Sequence, residues 1–223
     1  LRVTNRGMED APLVLLPTLW FRNTWAWGGT TARPEIYLDD PHTMKAHHAT
    51  LGDYYLWCEE KGEALFGENE TNTGRLYGHP RDGTFKDGIN DFVVHGNRSA
   101  VNEIPRGTKA CFCLTARVPA GKTKTVRLRM SRQYHTEPFG DFAQVWKQRQ
   151  SEADAFYALL QREVKQQGDK LIHRQALAGL LWGKQFYYYD IDVWLHGDPS
   201  QPPPPAARKH GRNRDWKHLN NAD

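Results

Sequence analysis

The residues richest in potential chemistry lie near the C-terminal end. Phe186-Tyr187-Tyr188-Tyr189-Asp190 leads into Asp192-Val193-Trp194-Leu195-His196-Gly197-Asp198-Pro199, and the prolines Pro202 to Pro205 are followed by Gly211-Arg212-Asn213-Arg214-Asp215-Trp216-Lys217-His218-Leu219-Asn220-Asn221. Aromatic faces beside carboxylates, amides and guanidinium groups suit a sugar. A ring packs on the apolar face of a pyranose while planar polar groups hydrogen-bond its hydroxyls. On this reading Trp194 and Trp216 supply ring faces, Asp198, Arg212, Asn213 and Asn221 supply directed hydrogen bonds, and His218 can do either. The competing reading is an ordered interdomain loop whose aromatic side chains plug a core, with Trp216 as the plug.

Other constellations carry less. Cys111-x-Cys113 on an alternating strand puts two thiols on one face, but a zinc knuckle spaces its pair by two or more residues and needs a second pair. Cys58 alone does not supply one, so structural cysteines are expected and no metal site is assigned. His42, His47 and His48 fall close together, yet neighbours on a strand point to opposite faces. Asn69-Glu70-Thr71 and Asn97-Arg98-Ser99 match the glycosylation sequon without any secretory context. No phosphate-binding glycine loop, nucleophile elbow or HExxH is present, and no acidic pair stands out as a glycosidase acid and base.

Composition bounds the rest. The 223 residues include 39% apolar and 12% aromatic side chains, with 8 Trp, which is enough for a packed core. The mean hydropathy of -0.76 is low. No run approaches the roughly 20 apolar residues of a membrane span. The net charge of +4 is mild, and the segment from Gln201 onward holds most of it through Arg208, Lys209, Arg212, Arg214 and Lys217 against Asp215 and Asp223. A basic domain surface is therefore excluded as the main theme. The 3 cysteines cannot form a disulfide framework and fit a reducing compartment, so the cytoplasm is the expected location. Leu1 opens directly in a strand-like segment, so a piece of a longer protein is expected.

These groups must be positioned by two kinds of element. The first 135 or so residues read as β. Pro12 to Trp27 is strand-like with Pro17 interrupting it. In Ala110 to Val118 alternation sends Ala110, Phe112, Leu114, Ala116 and Val118 one way and Cys111, Cys113, Thr115 and Arg117 the other. A turn at Pro119 to Lys122 then predicts a hairpin with a strand in which Val126, Leu128 and Met130 face in. Glycines between Gly28 and Gly107 punctuate expected loops. After Pro138 the period changes to three and four, predicting one amphipathic helix over 141–166 and a buried one over 170–186, with Gly168 and Asp169 as stop and cap. The prolines from Pro202 to Pro205 require an extended polyproline path.

The tail FYYYDIDVWLHGDPSQPPPP with GRNRDWKHLNNAD resembles bacterial proteins of glycoside hydrolase family 63, the family of mannosyl-oligosaccharide glucosidase. PTLWFRNTWAWG at Pro17 to Gly28, LFGENETNTGRLYG at Leu65 to Gly78, FKDGINDFVVHG at Phe85 to Gly96 and GTKACF at Gly107 to Phe112 resemble the same proteins. The resemblance implies an antiparallel β-sandwich over 1–138 lacking its N-terminal part, a linker helix over 139–168, and over 169–223 the first helix and loop of an (α/α)6 barrel, with a proline-rich loop at 199–206. It further implies an inverting α-glycosidase whose acid is an Asp and whose base is a Glu, both in the barrel. No position here matches either segment, and Asp190, Asp192, Asp198 and Asp215 do not take the role merely by being acidic.

The expected partners are thus an α-glucoside or α-mannoside and the rest of the barrel in the same chain, with no cofactor, nucleic acid or membrane. Two other classes compete: a free-standing carbohydrate-binding β-sandwich, and a single-strand nucleic-acid binder stacking bases on Tyr187, Tyr188, Trp194 and Trp216.

Overall fold

A computed structural model describes residues 1–27, 32–183, 189–198 and 201–221, with the side chain of Asn221 outside that description. Phe186, Tyr187, Tyr188, Pro199 and the Gly28-Gly29 pair lie outside the described residues. The chain is antiparallel β followed by α. It divides into two units, one of Leu1–Phe139 with Asp198–Pro202 and one of Gly140–Gly197 with Pro203–Asp223.

The β unit contains β1 (Arg2–Thr4), β2 (Ala11–Leu15), β3 (Thr18–Trp20), β4 (Glu35–Asp40), β5 (Thr43–His48), β6 (Gly52–Cys58) and β7 (Glu63–Gly67). Two short helices follow, α1 (Thr73–Tyr77) and α2 (Gly88–His95), and then β8 (Arg106–Gly107), β9 (Lys109–Val118), β10 (Thr123–Thr125) and β11 (Leu128–Ser131). Five strands form one sheet in the order β11-β6-β5-β4-β8. In the second sheet β9 is the hub. It pairs with β2 from Leu15↔Leu114 outward and with β3 from Thr18↔Cys111, so the register runs unbroken past Pro17. Pro17 lacks an N–H, and its carbonyl accepts from Phe112 N–H at 3.3 Å. On the other side of β9, Leu65 of β7 opposes the same Cys111.

Both faces of β9 are buried over Ala110–Leu114, so Cys111 and Cys113 differ from the expected wet face, while Thr115 and Arg117 are exposed as expected. Ala110, Phe112 and Leu114 meet Ile36, Met44, Ala46, Leu56, Cys58 and Phe66 in the core between the sheets. Cys111 and Cys113 enter a second core with Leu65, Ile89 and Val101, against which Phe92 and Val93 pack. The cover is α2, which sequence reading had assigned to a loop. Its Ile89, Phe92 and Val93 fall at helical spacing, and Gly96 closes it at φ 66° in the left-handed region. A continuous apolar run at Ala110–Leu114 is what burial on both faces requires.

Four further expectations are corrected. The predicted hairpin does not form: after the turn at Pro119–Lys122, β10 pairs with β1 and β11 pairs with β6, so the chain passes from one sheet to the other. Val126 is buried, whereas Met130, beyond that crossing, is 51% exposed. The helical unit holds α3 (Phe142–Leu160) and α4 (Gln167–Gly183), so α3 ends earlier than predicted and Gly168 and Asp169 lie inside α4. Nor is α4 buried: Leu171, Ile172, Leu180, Leu181 and Trp182 are exposed, Trp182 at 85%. Arg174 ties the two helices through Asp154 at 2.6 Å and lies over the Tyr157 ring at 4.6 Å. Beyond them come β12 (Tyr189–Asp190), α5 (Ile191–His196) and β13 (Asn220–Asn221). Pro205 has the polyproline angles φ -61°, ψ 142°. Among the described residues no helix is long and apolar enough to cross a membrane.

Two measurements check this packing. Gly88 opens α2 where a Cβ would stand 1.9 Å from the Ala100 carbonyl oxygen. Helix propensity favours Ala there by about 1 kcal/mol, but overpacking against backbone costs about 1–3 kcal/mol or more. Gly88→Ala is therefore expected to lower stability in urea denaturation, and a gain would show that α2 does not sit so close. Burial pushes the Cys111 thiol up to about 12, the neighbouring Cys113 adding to the shift. All three thiols should stay unlabelled by a disulfide reagent at about pH 8 in the native chain and react once guanidinium unfolds it.

Candidate functional site

β3 and β7 both run antiparallel to β9, on opposite sides of it, and both end opposite Lys109. The segments that leave them therefore emerge together at one edge of the sheet. From β3 come Asn23, Trp25 and Ala26; from β7 come Glu70, Thr71 and Thr73. With His79, Pro80, Arg81, Gln201 and Pro202 they line a cavity of about 570 Å3 within the β unit.

Hydrogen bonds lock the two segments to each other. Asn69 donates through Nδ2 to the Phe21 carbonyl at 2.8 Å, and Asn23 donates back to the Asn69 carbonyl at 3.2 Å. Asn23 Oδ1 accepts from Ala26 N–H, turning the chain through the short helical segment Trp25–Trp27. Underneath, the buried Thr108 hydroxyl accepts from Asn69 N–H at 2.8 Å and donates to Glu68 at 2.7 Å. The Asn69 side chain and N–H thus have structural partners in the lock between the two segments. On the far side Asn72 caps α1 and Gly78 ends it, after which the Thr73 hydroxyl holds the His79 carbonyl at 2.8 Å. That return brings Arg81 back over the cavity.

Glu70 is the centre of the charge pattern. Its side chain is 14% exposed, and one oxygen accepts from Trp25 Nε1 at 3.1 Å and pairs with Arg33 at 3.2 Å. The other pairs with Arg81 at 3.0 Å. Arg33 also pairs with Glu68 and lies over the Trp25 ring at 5.5 Å. Two carboxylates and two guanidiniums balance, and the indole is fixed by its N–H and by a cation above it.

None of the seven residues picked from the C-terminal segment is among those lining the cavity at Glu70. Trp194 is half-buried, with Arg208 over its ring at 4.8 Å and donating to its carbonyl at 2.9 Å. Asn213 donates to the Tyr189 hydroxyl at 2.8 Å. Trp216 is 53% exposed beside His218, ring centroids 5.9 Å apart, and Arg212 is exposed. Asp198 belongs to the β unit. Asn221 lies in β13. A smaller cavity of about 270 Å3 in the helical unit is lined instead by Leu195, His196, Lys209, Arg214, Asp215 and Lys217. Asp190 is structural here, capping α5 through Val193 N–H and accepting from Asn220.

The histidines serve separate local purposes: His42 bonds the Cys58 carbonyl, His47 pairs with Asp53, and His48 stacks on Phe21. Among the described residues no three metal-ligating side chains converge. Sequence reading missed the Glu70 cavity, although the dense polar run Glu68 to Arg75 was a usable signal.

No family model and no solved structure matches the chain. An uncharacterized protein of Saccharomyces cerevisiae, YMR196W, is 30% identical over 259 residues, covering 98% of this chain and 24% of the relative. The chain spans about a quarter of the length of that relative.

Replacing Glu70 tests the locked floor. Glu70→Ala removes the acceptor of Trp25 and the partner of both arginines, and is expected to cost about 1–3 kcal/mol in urea denaturation. Glu70→Gln keeps an acceptor and loses only ion pairs to half-exposed arginines, so it should cost about 1 kcal/mol or less. Equal losses in the two variants would place the stabilisation in charge rather than in the indole bond.

Proposed function

We propose that this chain is the non-catalytic N-terminal portion of an inverting α-glycosidase acting on oligosaccharides or small glycosides. Its β unit is read as an incomplete β-sandwich. Its helical unit is read as the linker and the first helix and loop of an (α/α)6 barrel. The observation that supports this most is where the strings resembling glycoside hydrolase family 63 fall. Those from Pro17, Leu65, Phe85 and Gly107 supply β3, β7, α2 and the start of β9, a single hydrogen-bonded assembly with a cavity at its edge. Scattered strings of unrelated origin have no reason to meet in one place.

The exposed apolar side chains of α3 and α4 add support, since helices of a barrel bury such faces against neighbours that this chain does not contain. The yeast relative is about four times the length of the matched span, room enough for such neighbours. Neither catalytic carboxylate of the family has a counterpart here, so Asp190, Asp192, Asp198 and Asp215 are assigned no catalytic part. The ligand class is an α-glucoside or α-mannoside, and the remainder of the barrel is the partner in the same polypeptide.

Two outcomes are expected. The purified chain should not hydrolyse an aryl α-glucoside, whereas a longer reading frame carrying a Trp-Asp segment soon after Asp223 should. Hydrolysis by the chain alone, abolished by changing any of the four aspartates, overturns the reading. In the longer protein Trp216→Ala should lower kcat/KM about tenfold, roughly 1.4 kcal/mol, with little change in stability because the side chain is half exposed. A loss of several kcal/mol of stability with normal turnover would make Trp216 a core plug instead.

A further inference from the structure

We infer that the cavity around Glu70 is a carbohydrate-binding site in its own right, carried by the β unit and separate from any hydrolytic centre. Its volume of about 570 Å3 falls within the roughly 300–1,000 Å3 of small-ligand sites. Its walls mix apolar surface from Trp25, Ala26, Pro80 and Pro202 with polar groups on Asn23, Thr71 and Arg81, a lining suited to a ligand with both kinds of surface. Its charges are already matched, Glu68 and Glu70 against Arg33 and Arg81, so neither a strongly anionic nor a cationic ligand finds an unmet partner. A neutral polyhydroxylated ring answers this lining. The indole offers apolar surface, and its tilt is fixed before binding by the Nε1–Glu70 bond, which lowers the ordering cost of association.

Directional groups surround that ring. Arg81 spends Nη2 on Glu70 and carries further N–H groups on a half-exposed fork. The Thr71 hydroxyl accepts from Lys86 Nζ at 3.2 Å and keeps its own proton to donate. The His79 imidazole has no hydrogen-bond partner among the described residues and can either donate or accept. Guanidinium, hydroxyl and imidazole around one aromatic face make the set that sugar hydroxyls need. That the sugar is an α-linked glucoside rests on the glycosidase reading; that a neutral sugar binds rests on the cavity alone.

The test uses the whole chain with maltose and with the α-1,3- and α-1,2-linked glucobioses, cellobiose serving as the β-linked comparison. NMR follows the Trp25 indole N–H, assigned through Trp25→Phe. The α-glucobioses should shift this signal with Kd in the millimolar range, about −4 kcal/mol. Arg81→Ala and His79→Ala alter exposed side chains, and each should weaken binding about fivefold or more at an unchanged melting temperature. No shift with any sugar at about 50 mM, or binding that both variants leave intact, overturns the site. Cellobiose binding as tightly as maltose overturns the α-linked assignment. In the longer protein, glycosidase activity accompanied by no sugar binding to this unit overturns the site and spares the glycosidase reading. Sugar binding here, with no glycosidase activity in the longer protein, upholds the site and overturns that reading.

Discussion

Strand β9 is the constraint on which the β unit depends. Over Ala110–Cys113 it has chain on both sides and side chains packed on both faces. Burying a large apolar side chain there contributes about 1.5–3 kcal/mol. Its direction also fixes the site. Because β3 and β7 must both oppose it, they must point the same way, and the segments after them must exit at the same edge. The Trp25–Glu70 contact bridges 45 residues of sequence and is a consequence of that pairing.

How much of this was legible in the sequence follows from the range of each cause. Alternation in Ala110–Val118 is local, and it correctly pointed Phe112 and Leu114 to a core. Whether Cys111 meets water depends on α2, whose Gly88–His95 run is too short for its spacing to stand out between two glycines. Val126 and Leu128 do turn to the core as read, but the hairpin failed and Met130 is exposed: a tight turn favours a hairpin, whereas β6 is the partner of β11, and that competition is nonlocal. For α4 the pattern was read correctly as apolar. Its exposure is a tertiary property, which no periodicity can report.

The two candidate sites differ in the same way. The C-terminal segment is rich in sugar-suited side chains, and that inventory was plain to read. What the inventory lacked was the competition within the segment itself. Arg208 lies over the Trp194 ring and Asn213 donates to the Tyr189 hydroxyl, contacts that a roll of residue types does not report. The Glu70 cavity hid the opposite case. Its strings were recognised one by one, and their meeting was invisible until β9 brought them together.

Matched charge is also what makes the Glu70 cavity suitable for recognition rather than for acid–base chemistry. A catalytic carboxylate works when its surroundings leave one protonation state poised to change. Glu70 instead accepts one indole N–H and pairs with two guanidiniums, so both of its oxygens are already engaged. Nor is it placed as one of a pair across a gap for water, because Glu68 is bound to Thr108 beneath the floor. A group so engaged holds other side chains in position. The ring of Trp25 and the fork of Arg81 are the parts it presents outward, and both are groups that bind rather than react.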